Sequence, residues 1–108
     1  MKFKVEVSAG ELHPSLHHAL NVVDRVWRKH TGTQPVCTGL GEVGHSEKSR
    51  HYGLAGDIRT RAADIRSRDL IQTQQTAIDM DLRERLGAPK EFDILWEATH
   101  LHIEVDPK

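Results

Sequence analysis

The strongest constraint on the fold of this chain is the strict alternation of apolar and polar residues near its C-terminus. In the run Thr99-His100-Leu101-His102-Ile103-Glu104-Val105 the character changes at every residue. This is the period of a β-strand with one buried face. Because residues two apart on a strand point to the same side, the sequence predicts a last strand with His100 and His102 on one face.

A second strand is predicted immediately before it, over the apolar run Phe92-Asp93-Ile94-Leu95-Trp96. The two strands can pair if the chain reverses at Ala98-Thr99, although this pair lacks the Asn-Gly or Asp-Gly signal of a tight hairpin. On one uninterrupted strand Glu97 would face away from both histidines. With a reversal, Glu97 ends one strand where His100 begins the next. Any chemistry that these residues share therefore depends on the turn.

Two helices are predicted from apolar residues at helical spacing. The first opens at His13-Pro14, where a proline is tolerated, and closes at Gly32. The second ends at Gly87. Its predicted apolar face consists of Ile71, Ile78, Leu82 and Leu86.

Three further strands complete the predicted fold. Alternation predicts one strand from Phe3 to Val7, an apolar run predicts another from Pro35 to Thr38, and Ala55 to Arg59 is expected to form a strand that carries Asp57. The order β-α-β-β-α-β-β favours an α+β fold with helices packed on a mainly antiparallel sheet. We expect one domain over residues 1–108, because no linker or low-complexity segment interrupts the chain.

Composition argues against several classes of function. The 15 basic and 16 acidic residues give a net charge of −1, so nothing electrostatic favours nucleic acid or an anionic membrane as a partner. No stretch approaches the length of a membrane span, and the N-terminus lacks the apolar region of a signal peptide. We expect a monomer made in the cytoplasm. The single cysteine, Cys37, rules out an internal disulfide and is interpreted as a small core residue rather than a nucleophile.

A histidine and an aspartate lie six residues apart in the stretch from Ser49 to Asp57, separated by glycines and other residues. An imidazole and a carboxylate are both good zinc ligands, and the glycines would let His51 and Asp57 reach one point. Taken alone, a hydrogen-bonded loop pair explains these two residues equally well. With His102 as a third ligand they predict a zinc site whose fourth position is open to water, as in catalytic sites.

Two other residues compete for ligand roles. The segment from Ala55 to Arg61 is followed at once by a near-copy from Ala62 to Arg68, in which five of seven residues are identical. Asp64 is therefore a rival of Asp57. Because it leads into a helical pattern, we interpret it as an acidic residue near a helix start. His45, in the preceding loop, is a spare candidate.

The combined pattern Ser-x-His, Gly-x-Ala-x-Asp and a late Glu-x-x-His-x-His resembles a family of zinc peptidases. The family includes D-Ala-D-Ala carboxypeptidases, D,D-dipeptidases and phage L-alanyl-D-glutamate endopeptidases, and hedgehog signalling domains share its fold. The likeness spans roughly Pro35 to Pro107. The matching residues are Ser49, His51, Gly53, Ala55, Asp57, Glu97, His100 and His102. In one departure, Tyr52 alone separates the histidine from the glycine, where the family has two residues.

The resemblance implies a zinc-dependent peptidase of bacterial or phage origin that acts on the stem peptides of peptidoglycan, at the cell wall once it is released. One zinc ion per chain would be held by His51, Asp57 and His102. Glu97 would be the general base that takes a proton from water and passes it to the leaving amine. His100 would hold the polarised oxygen or the substrate.

Substrate contacts are predicted at two further residues. Ser49 belongs to the matched motif and is a candidate for contact with the substrate, with shaping of the loop as the alternative. Arg59 lies two residues beyond Asp57 on the same predicted strand and could meet a carboxylate of the substrate.

Two other classes of function stay open. The shortened spacing between His51 and Asp57 fits a zinc-binding module that keeps the fold without turnover, although the presence of Glu97 argues against it. A metal-free structural domain is the second alternative, and it predicts that a chelator leaves the stability of the protein unchanged.

Overall fold

Two helices and five strands make up the described part of the chain. The computed structural model describes residues 1–4, 12–40, 60–87 and 92–105. The elements are β1 (Lys2–Phe3), α1 (Pro14–Thr31), β2 (Val36–Leu40), β3 (Ala62–Arg66), α2 (Gln72–Leu86), β4 (Phe92–Trp96) and β5 (His100–Val105). Their order confirms the predicted α+β class, whereas the hedgehog-like form of that class stays a prediction.

Both helices end where the sequence predicts. Before α1, the Nδ1 atom of His13 accepts a hydrogen bond of 3.1 Å from the backbone N–H of Ser15. This bond uses one of the amide groups that the start of a helix leaves unpaired. Gly32 and Gly87 close α1 and α2 with φ angles of 74° and 68°, a left-handed conformation that glycine adopts at little cost.

One face of each helix is buried. The buried residues of α1 are Leu16, Ala19, Leu20, Val23, Val26 and Trp27. In α2, Ile78, Leu82 and Leu86 are buried as predicted. The prediction for Ile71 is wrong, because this residue precedes the helix; its backbone N–H donates to Gln74 Oε1 and its side chain is 63% exposed. Neither of these two helices has the length and apolar character needed to cross a membrane.

The five strands form one sheet in the order β1-β2-β3-β5-β4. The pair β1 and β2 is parallel, and the other three neighbouring pairs are antiparallel, so the sheet is mainly antiparallel as predicted. Between β4 and β5 the chain reverses at Ala98-Thr99, where the N–H of Glu97 donates to the carbonyl of His100 at 2.8 Å. The predicted turn is therefore confirmed, although its sequence carries no strong turn signal.

Alternation along the strands separates the two faces of the sheet. The face toward the helices contributes to the core Cys37, Ile65, Leu101, Ile103 and Val105. His100 and His102 lie on the opposite face, and Asp64 shares it through its position next to Ile65. The helices thus cover one face, while polar side chains of the central strands collect on the other.

Asp64 lies in the middle of β3, which corrects its interpretation as an acidic residue near a helix start. A turn closed by the N–H of Leu70 donating to the carbonyl of Ser67 separates this strand from α2, and the helix begins only at Gln72. The second copy of the duplicated segment therefore forms a strand. The first copy, for which a strand was also predicted from Ala55 to Arg59, lies outside the described residues.

The end of β4 is anchored by Trp96, the residue before Glu97. Its ring stacks on Trp27 of α1, with 6.3 Å between ring centroids. Its indole N–H donates to Asp79 Oδ1 of α2 at 2.9 Å. Contacts to both helices therefore fix the point from which Glu97 is presented.

Asp81 links the two helices. Its carboxylate lies 3.0 Å from His30 Nε2 and 3.5 Å from Lys29 Nζ on α1, and 2.6 Å from Arg85 Nε one turn along α2. The hydrogen bond from Arg85, followed by that from His30, lowers the pKa of Asp81 from 3.8 to about 2, although burial acts in the opposite direction. The folded state therefore favours the charged carboxylate.

We expect Asp81→Asn to lower the free energy of unfolding by roughly 1 kcal/mol at neutral pH, or about 4 °C in Tm. Because the pKa of Asp81 is lower in the folded than in the unfolded state, this contribution is present above pH 3.8 and is lost as the pH falls through about 2. Urea unfolding of both proteins from pH 7 to pH 2 measures the difference.

Glu84→Gln is the matched control, since Glu84 is exposed on the same helix. It should change the free energy of unfolding by less than about 0.5 kcal/mol. An effect of Asp81→Asn that stayed constant down to pH 2 would contradict the role of the charged carboxylate.

Candidate functional site

The pairing of β3 with β5 brings polar residues together on the face opposite the helices. Asp64 lies directly across from His102, and Arg66 lies across from His100. Side chains at directly opposed positions are close enough to interact. A shift of one residue in the pairing of β3 with β5 would turn these polar side chains toward the helices. The packing of the apolar residues that alternate with them therefore holds the polar pairs in place.

His102 lies between two carboxylates. Its Nδ1 atom is 2.9 Å from Asp64 Oδ1, and its Nε2 atom is 3.1 Å from Glu104 Oε1. The hydrogen bond with Asp64 is the main reason that the pKa of His102 rises from 6.5 to about 9; the bond with Glu104 adds to the rise, and partial burial opposes it. In the protonated ring both nitrogens donate. A metal ion that binds this ring has to displace a proton and one of these bonds.

His100 and Glu97 form a second pair at the hairpin. His100 Nε2 is 2.8 Å from Glu97 Oε1 and 3.7 Å from Asp64 Oδ1. On the other side of the ring, Nδ1 is 3.3 Å from Thr99 Oγ1. The turn thus places Glu97 beside His100, as the sequence predicts for a reversed chain, and Asp64 lies near both histidines.

These side chains line one open pocket of about 340 Å³, whose lining is Asp64, Leu95, Glu97, His100 and His102. Exposure differs strongly within it, since 48% of the Glu97 side chain is accessible but only 15% of Asp64. Glu97 therefore contacts solvent at the rim of the pocket, while Asp64 and His102 lie deeper. Leu95 adds an exposed apolar surface beside them.

Three of the predicted site residues are brought together, namely Glu97, His100 and His102. The other four, Ser49, His51, Asp57 and Arg59, lie outside the described residues, and their roles stay predictions. Sequence reasoning missed the contact of Asp64 with His102. The signal for it was present in Ala63-Asp64-Ile65-Arg66, where apolar and polar residues alternate as they do in a strand.

Asp64 and His102 belong to residue types that bind zinc in proteins. Asp64 and His102 offer a carboxylate oxygen and an imidazole nitrogen 2.9 Å apart, and two ligands of one tetrahedral zinc ion lie roughly 3.3 Å apart at the usual bond lengths. Within residues 1–4, 12–40, 60–87 and 92–105, no three histidine, cysteine or carboxylate side chains are placed to hold a metal ion. A complete site therefore needs a ligand from elsewhere in the chain, and His51 and Asp57 are the predicted ones.

Comparison with known proteins gives no further assignment. The chain matches no protein-family model, no curated protein and no solved structure. The resemblance to zinc peptidases therefore rests on the motif residues alone, and the function has to be argued from the site itself.

We expect Asp64→Ala to lower the free energy of unfolding of chelator-treated protein by about 1–3 kcal/mol, because the partly buried His102 loses a hydrogen-bond partner. Denaturant unfolding followed by circular dichroism measures this loss. Asp69→Ala is the control, since the Asp69 carboxylate is 73% exposed, and it should cost less than about 0.5 kcal/mol. Equal losses in the two variants would argue against a structural role of the Asp64–His102 bond.

Proposed function

We propose that this protein is a zinc-dependent peptidase that hydrolyses peptides of the bacterial cell wall. The observation that carries the proposal is the presence of Asp64, His102, His100 and Glu97 in one pocket. This set combines two side chains of the zinc-ligand type, an imidazole that can bind substrate and an exposed carboxylate suited to proton transfer. The motif resemblance supplies the class of substrate.

In this proposal His102 and Asp64 would hold the zinc ion together with His51. Asp64 takes the place that the motif gives to Asp57, because of the two carboxylates in hydrogen-bond contact with His102, Asp64 and Glu104, Asp64 is the one that lines the described part of the pocket. The two aspartates occupy equivalent positions in the duplicated segment, and Asp64 keeps the alanine of the motif at Ala62 but has Thr60 in place of its glycine. Zinc, when bound, supplies a Lewis acid that lowers the pKa of a coordinated water molecule to about 7.

In this proposal Glu97 acts as the general base and then as the general acid. Its carboxylate lies at the exposed rim of the pocket, where it can take a proton from water and deliver it to the leaving amine. The 2.8 Å contact of its Oε1 atom with His100 Nε2 and the backbone bond between the same two residues hold it there. His100 contributes the hydrogen-bond donor for the carbonyl oxygen of a bound peptide.

The purified protein is expected to contain about one zinc ion per chain. Asp64→Asn, His102→Ala and His51→Ala should each lower the zinc content and the Tm together, because each removes a ligand. The zinc content is measured by inductively coupled plasma mass spectrometry, and the Tm is measured by thermal unfolding of the same samples.

Asp57→Asn is the matched control in the other copy of the duplicated segment, and it should leave the zinc content near one per chain. The reverse pattern would identify Asp57 as the ligand. Protein that contains no zinc, and whose Tm does not respond to a chelator, would support the metal-free structural domain instead.

Glu97→Gln should keep the zinc content near one per chain but lower the rate of hydrolysis by roughly 100-fold or more. Glutamine keeps the size and the hydrogen bonding of glutamate but cannot accept a proton. Mass spectrometry of digested muropeptides measures the rate, with Glu84→Gln as a control that should retain full activity.

Three outcomes would change the proposal. Full activity of Glu97→Gln would remove Glu97 as the base. Wild-type protein that binds zinc without cleaving muropeptides would be a zinc-binding module. Rapid cleavage of casein without cleavage of muropeptides would contradict the proposed cell-wall substrate but would not contradict the zinc site.

A further inference from the structure

The strand that leads to Glu97 runs along the edge of the sheet. In the order β1-β2-β3-β5-β4, strand pairing within the described residues holds β4 only on the side that faces β5. Because Glu97 and His100 form a hydrogen-bonded pair, alternation turns the backbone N–H and C=O groups of Ile94 and Trp96 away from β5. Such outward groups of an edge strand have no partner strand. The position of Glu97, which directly follows Trp96, therefore depends on how this side is held.

Two residues of α2 hold the outer side of β4. The Nη2 atom of Arg83 donates to the carbonyl of Ile94 at 3.2 Å. The indole N–H of Trp96 donates to Asp79 Oδ1 at 2.9 Å, and Arg83 Nε donates to the same oxygen atom at 2.9 Å. Asp79 and Arg83 lie one turn apart on the helix. One side of α2 therefore carries both contacts to the end of the strand.

The core anchors β4 through other residues. Phe92 and Ile94 are only 3% and 8% exposed and belong to the core, whereas Trp96 is partly buried and packs against that core. Burial of the first two residues is enough to decide which face of the strand points inward, and hence its register. Loss of the bond between Trp96 and Asp79 would thus leave β4 in the sheet and release mainly its last residues.

The short turn passes this constraint on to Glu97. The backbone N–H of Glu97 donates to the carbonyl of His100 at 2.8 Å, and its Oε1 atom lies 2.8 Å from His100 Nε2. Trp96 thus bounds the residue on one side and His100 on the other. Because neighbouring residues of a strand point to opposite faces, Trp96 reaches the helices while Glu97 enters the pocket. Asp79 acts on Glu97 through the backbone.

We propose that Asp79 is a positioning residue for Glu97, because its bond to the indole of Trp96 fixes the strand end from which Glu97 enters the pocket. A general base has to lie within hydrogen-bond reach of the proton that it takes. A displacement of about 1 Å can lower a rate by roughly 100-fold. This inference rests on the peptidase function proposed above, in which Glu97 is the base.

Asp79→Ala and Trp96→Phe remove the bond from its two ends, and phenylalanine keeps an aromatic ring beside Trp27. We expect each variant to lower kcat for muropeptides by at least about 10-fold. KM should change by less than about 3-fold and the zinc content should stay the same, because the base acts in the transition state and not in substrate binding. The double variant should lose no more than the weaker of the two single variants, since both act through one bond.

Asp81→Ala is the matched control. Asp81 lies on the same helix and its loss also lowers the Tm, but its contacts run to α1 and to Arg85 and not to β4. This variant should keep kcat within about 2-fold of the wild type. Unchanged kcat in Asp79→Ala, an equal loss in Asp81→Ala, or losses that multiply in the double variant would overturn the inference while leaving the peptidase function intact.

A measurement without substrate separates this inference from the peptidase function. In ¹⁵N-labelled protein as purified, NMR relaxation gives the order parameter of the Glu97 amide, and the indole signal of Trp96 reports its hydrogen bond. We expect Asp79→Ala to shift the indole signal and to lower the order parameter from about 0.85 toward about 0.6, and Asp81→Ala to change neither. This result would support the positioning role even if no peptide is cleaved, in which case only the peptidase function fails. An unchanged order parameter of Glu97 in Asp79→Ala would contradict the positioning role.

Discussion

The antiparallel register between β3 and β5 is the constraint on which the candidate site depends. On one face of these strands Ile65 and Leu101 are fully buried, and each contributes about 1.5–3 kcal/mol by leaving water. On the other face, the charged hydrogen bond between Asp64 and His102 adds about 1.5–3 kcal/mol. Because several apolar residues share this register, the core decides how the strands align. The polar pair is a consequence of that alignment.

The same register explains what could be predicted from the sequence. The alternation of β5 is long and regular, so the strand and the common face of His100 and His102 follow from it directly. The ends of the helices follow from Pro14, Gly32 and Gly87, whose backbone preferences are local. These features depend on neighbouring residues alone, and the fold class can be derived from their order.

The position of Asp64 could not be derived in this way. Its strand is five residues long and is followed closely by a helix, so the local pattern fits either element. The segment is a strand because it pairs with β5, which lies nearly 40 residues away in the sequence. The turn at Ala98-Thr99 is a similar case, since its sequence is a poor turn signal and the reversal follows from the pairing of the strands it joins. In both cases a long-range contact overrides local preference.

The two-residue turn between β4 and β5 also limits how this protein can change. Trp96 is held by both helices and the register of β5 is held by the core, so neither strand can slide to accommodate a longer connection. A residue inserted at Ala98-Thr99 would be taken up locally as a bulge that redirects Glu97, and the folded domain would persist. Length variation at this turn would therefore leave the fold intact and change the position of Glu97 relative to His100. The geometry of this polar pair constrains the length of the connection more tightly than the stability of the domain does.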